Sequence, residues 1–81
     1  MGQVDDCLDA LRRLIAAADP KGLPLAGEAI EKYWAATPVR ARKSGLLYIQ
    51  QILHSHRDSL GADSRAFADT VDAYIEKKLA A

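Results

Sequence analysis

Cysteine, histidine and clustered aspartate are the side chains with which this chain could do chemistry, and their spacing is the first thing to weigh. His54 and His56 stand two residues apart. On a helix they point about 200° away from each other, so they cannot hold one metal ion. A zinc site needs histidines at i,i+4 together with further ligands. His56 falls on the core-facing side and reads as an interior or boundary histidine. Asp5, Asp6 and Asp9 could offer oxygens to a hard cation, but they lack the loop of a calcium site, and a solvated acidic face accounts for the same letters. Cys7 would need a base beside it and partial exposure to act as a nucleophile. Its place inside an apolar stripe makes it a small buried hydrophobe instead. No metal, cofactor or catalytic set is expected, and therefore no enzyme.

Leu60-Gly61-Ala62-Asp63-Ser64 resembles, over five residues, the segment around the modified serine of acyl carrier proteins. Those carriers follow the serine with an apolar residue, where this chain has Arg65, and they precede it with a long loop, where this chain has a long helix. Ser64 is explained by helix capping alone.

Composition bounds the rest. Residues 1–81 make one domain, and 49% hydrophobic with 27% charged residues is too apolar for disorder. A single cysteine rules out an intrachain disulfide and favours a reducing, cytoplasmic setting. The N-terminal Met1-Gly2-Gln3-Val4-Asp5-Asp6 is acidic where a secretory leader would be basic. The longest unbroken apolar run, Leu14 to Ala18, is far short of a membrane span, so a small soluble domain is expected. Net charge is zero, yet unevenly spread. Residues 1–31 have three cations against six acids, net −3; residues 32–57 have five cations and no acid, net +5; residues 58–81 have three cations against five acids, net −2. Acidic outer helices that neutralise a basic one inside the fold are the plainest explanation.

The elements that must position these residues are four helices. Val4, Cys7, Leu8, Leu11, Leu14, Ile15 and Ala18 keep the three-four spacing of one helical face, closed by Asp19-Pro20. A second helix runs from Pro24 to Ala36 with Ala26, Ile30, Tyr33 and Trp34 on its face. Thr37-Pro38 reads as a cap and first turn for a third helix that reaches Leu60. Its apolar arc takes in Tyr48, Ile52, His56, Ile49, Leu60, Leu53 and Leu46, with Arg42 at its start. Gly45 on this arc lets a neighbour approach closely. A fourth helix starts at a cap formed by Asp63 or Ser64 and runs to Leu79, with Phe67, Val71, Tyr74, Ile75 and Leu79 facing inward. The expected fold is all-α, a small four-helix bundle-like domain with the third helix central; a three-helix core with one loosely attached end helix is the alternative.

Opposite the core arc of helix 3 lie Arg57, Gln50, Lys43, His54, Leu47, Arg40 and Gln51. A leucine among basic and amide side chains, with no acid until Asp58, marks this as the expected partner-binding face. It suits a protein–protein interaction or assembly module whose partner is an acidic protein or a second copy, since the −3 and +5 segments are mutually complementary. The alternative is a helix-turn-helix-like nucleic-acid binder using Arg40, Arg42, Lys43, Gln50 and Gln51, against which stand the neutral total charge and a pI near 6.7. No membrane association is expected.

Overall fold

The computed structural model describes residues 2–81. In it the chain forms α1 (Gln3–Ala17), α2 (Leu23–Ala36), α3 (Val39–Ser55) and α4 (Ala62–Ala80), with 3₁₀ turns at Pro20–Gly22 and Arg57–Ser59. The class is all-α, a small four-helix bundle.

Local chemistry sets each boundary. Ala18 ends α1 in the left-handed conformation (φ 52°), its N–H returning to the Leu14 carbonyl, a position that glycine usually takes. The Asp19 carboxylate then accepts from the Lys21 N–H at 3.0 Å and caps the turn begun by Pro20. Thr37 does not cap helix 3. Its hydroxyl donates back to the Tyr33 carbonyl at 2.6 Å and so finishes α2, leaving Pro38 at the head of α3. Helix 4 likewise has no side-chain cap from Asp63 or Ser64. Gly61 precedes its first turn, and Asp63 only complements the dipole.

α3 stops at Ser55, short of Leu60. The hydroxyls of Ser55 and Ser59 donate to the carbonyls three residues earlier, at 2.7 and 2.8 Å, which competes with helix continuation. The 3₁₀ turn that follows folds Leu60 back against the core.

Residue pairs along the helices give their directions. Leu14 lies near Gly22, while Cys7 and Tyr33 share a cavity wall, so α2 returns along α1. Val4 meets Gly45, and Ile15 lies beside Leu53, so α3 runs parallel to α1. Gln50 and Arg57 reach Glu76 and Asp69, so α4 returns along α3. Around the bundle the order is α1, α2, α4, α3, with α1 and α4 touching across the short diagonal. α1 and α4 are therefore the central pair, in place of helix 3. α3 occupies a corner and meets α2 only near the two-residue connection that joins them.

That meeting is close. Tyr33 is 2% exposed, and its hydroxyl donates to the Arg42 carbonyl at 3.0 Å directly above Gly45, where a Cβ would overlap the phenol oxygen. Glycine is required there so that α2's largest buried side chain can cross α3's backbone. The core gathers Cys7, Leu8, Leu11, Ile15, Ala26, Ile30, Tyr33, Leu46, Ile49, Phe67, Val71 and Ile75 from all four helices.

Candidate helix 3 interface

α3 is turned by about a fifth of a turn from the expected orientation. Its buried side centres on Leu46, Ile49 and Gln50, with Arg42, Leu53 and Arg57 half-buried beside them. Tyr48 and His56, placed in the core by hydropathy, are exposed, and Ile52 is only half-buried. Two polar residues cause the difference. Gln50 is 7% exposed, and its amide finds partners on α4. Arg42 spends its charge on the Thr37 carbonyl, to which its Nε donates at 2.9 Å, and sets its guanidinium 5.7 Å from the Trp34 ring.

The seven residues of the expected face divide accordingly. Gln50, His54 and Arg57 are turned toward α4. The Gln50 amide donates to Asp72 at 3.0 Å and to Glu76 at 2.6 Å. His54 Nε2 lies 2.7 Å from the same Asp72 carboxylate. Arg57 forks onto Asp69 through Nε and Nη2 at 2.8 and 2.9 Å. That fork holds the Asp69 carboxyl below its ordinary range and pushes the Arg57 guanidinium up. A carboxyl lowered in this way adds stability above its unfolded pKa and loses it as pH falls through the folded value. The acids of α4 thus neutralise this edge of the basic segment. Gln50 in particular is a correction: it is a buried clasp, not an exposed contact.

Arg40, Lys43, Leu47 and Gln51 remain on the outer face, joined by Ser44, Ser55 and Tyr48. Leu47 is 45% and Tyr48 52% exposed, adjacent and apolar. Neither Arg40 nor Lys43 has an ion pair among the described residues, and α3 itself carries no acid. Tyr48 is the functional candidate that hydropathy concealed, since an apolar residue one position from the stripe is read as part of it. The duplex-reading set loses Arg42 to Thr37 and Trp34 and Gln50 to α4, leaving Arg40, Lys43 and Gln51.

Elsewhere several polar groups are occupied in the fold. Glu31 accepts from the Tyr74 hydroxyl at 2.6 Å and from Lys78 at 2.7 Å, and these bonds, Lys78's first, hold its carboxyl below the usual glutamate range. Lys78 also stands 5.1 Å from the Trp34 ring, a second cation over the indole that Arg42 meets. Asp9 pairs with Arg13 at 2.9 Å on the surface of α1.

Cys7 is 4% exposed, and burial pushes its thiol up to about 11. It stays protonated at neutral pH and out of reach. Alkylation by iodoacetamide should therefore be at least about a hundredfold slower in the native protein than in urea. Equal rates in both states would show an accessible thiolate.

Comparison of the chain with protein-family models, with curated proteins and with solved structures found no match. The fold and site define an all-α domain of four helices with an unpartnered apolar and basic face on α3. Among the described residues no group of histidine, cysteine and carboxylate side chains is placed to hold a metal, and no helix is long and apolar enough to cross a membrane.

Proposed function

We propose that the protein is a non-catalytic interaction or assembly module that docks an acidic protein surface, its own second copy included, on the outer face of α3. The observation that carries this is Leu47 and Tyr48, consecutive and both about half exposed, with the unpaired Arg40 and Lys43 on the same side of the helix as Leu47. Two neighbouring apolar side chains in a water-facing helix gain by burial against a partner, at about 1.5–3 kcal/mol for a leucine. The surrounding cations steer the encounter and contribute less each. The free thiol fits a reducing, cytoplasmic setting.

Leu47→Asp should weaken partner binding or self-association by at least about tenfold to a hundredfold while the circular dichroism and melting temperature stay unchanged. Lys43→Glu should chiefly slow association and alter its salt dependence. Sedimentation over a concentration series, with and without duplex DNA, separates the readings. Steep salt-dependent duplex binding that depends on Arg40 and Lys43 and ignores Leu47 would identify a nucleic-acid binder instead.

A further inference from the structure

We propose that the cleft between the last turns of α1 and the 3₁₀ turn after α3 is a binding site for a small amphiphilic carboxylate, an apolar body ending in one anionic head. The cleft measures about 260 Å³, larger than the 140 Å³ hollow beside Cys7. It lies below the size of a drug-sized pocket, about 300–1,000 Å³, and so suits a smaller ligand. It exists because α3 ends at Ser55: a helix continued to Leu60 would carry that leucine away, whereas the 3₁₀ turn folds it back opposite α1.

Its walls separate by polarity. Ile15, Leu53 and Leu60 supply the apolar surface; all three belong to the packed core or lie against it, so they form a fixed floor. Arg12 and His56 stand at the rim. Both are exposed, and neither side chain has a hydrogen-bond or ion-pair partner among the described residues, although Arg13 next door is paired with Asp9 and His54 with Asp72. No acid lines the cleft. The Ser59 hydroxyl is already spent on the His56 carbonyl. Anion recognition therefore falls to a guanidinium fork, which matches a planar carboxylate in two parallel bonds, and to the imidazole N–H that lines the same cleft. The apolar floor and the cationic rim are recognised together only by a molecule that has both parts.

Titration of the ¹⁵N-labelled protein with octanoate, octanol and acetate tests this. Octanoate should shift the His56 ring and the Leu53 and Leu60 amides in a saturable way and leave His54 unmoved. Octanol and acetate should each bind at least about tenfold more weakly. Arg12→Ala should weaken octanoate about tenfold to a hundredfold, and Arg13→Ala, one position along on the paired side, should leave it unchanged. Ala16 is exposed on the cleft wall, so Ala16→Trp should occlude the cleft without unfolding the protein. Octanol binding as tightly as octanoate, or equal losses in the Arg12 and Arg13 variants, would overturn the proposal. So would shifts confined to Leu47 and Tyr48. Capture of a peptide by its C-terminal carboxylate, with octanoate inert, would replace the small molecule with a protein ligand.

Discussion

Leu11→Ala lowers the stability of this protein by about 2–5 kcal/mol, against a total of about 5–15 kcal/mol for a domain. Leu11 is fully buried, on the helix that touches all three others, and the small bundle has few side chains with which to refill the void. Ile52→Ala on α3 costs less, about 1 kcal/mol, because Ile52 keeps part of its surface in water. Urea unfolding of the two variants side by side checks the order. A greater loss from Ile52→Ala would put α3 back at the centre of the bundle. The expected order follows from the chain's path. α2 and α3 are joined by two residues and must be close at that end, where Tyr33 crosses Gly45. Beyond it they diverge, and α1 and α4 fill the space between.

Where the inward face of a helix is purely apolar, it was legible from spacing. Cys7, Leu8, Leu11 and Ile15 on α1, and Phe67, Val71 and Ile75 on α4, repeat every three or four residues and are buried. Gly45 was legible too, since a glycine on a packed arc has few other uses. The rotation of α3 escapes hydropathy because a polar residue, Gln50, is among its buried side chains and the edge beside it is polar. Gln50, His54 and Arg57 meet acids 12 to 26 positions away on α4, a pairing that no local pattern encodes. The same tertiary demand decides the boundaries. Thr37 can cap forward or backward, and Tyr33's burial made the backward bond the useful one. The α3 terminus depends on serine hydroxyls and on Leu60 finding the core, which periodicity alone extends past. Within the candidate interface, Leu47 stood out as a misplaced apolar residue. Tyr48 did not, because its exposure depends on how α3 is rotated.

That rotation rests on Gln50, and Gln50→Glu tests it. The amide nitrogen serves two carboxylates at once, Asp72 at 3.0 Å and Glu76 at 2.6 Å, at a position 7% exposed. The NH₂ group carries two N–H donors, one for each acid. Glutamate has the same shape but removes both donors and sets a third negative charge against the other two. Asp72 is half-buried and Glu76 exposed, so water screens part of the repulsion, and the loss is about 2–3 kcal/mol, the upper part of the range for a buried polar group left unsatisfied. Gln50→Ala removes the donors without adding a charge and lets water reach the acids, so it costs less, about 1–2 kcal/mol. If Gln50 were merely filling space, the order would reverse, since glutamate fills it better than alanine. The pH dependence adds a second check. Crowding by two acids raises the pKa of a glutamate at position 50 in the fold above its unfolded value of about 4.3. A raised folded pKa keeps its stability below the unfolded value and loses it as pH rises through the folded one. The gap between Gln50→Glu and the wild type should therefore narrow toward pH 4 and widen toward neutrality in thermal melts. A gap that stays small at neutral pH would mean that Gln50 faces water. α3 would then be turned back toward the orientation that hydropathy suggests, and Tyr48 would leave the docking face for the core.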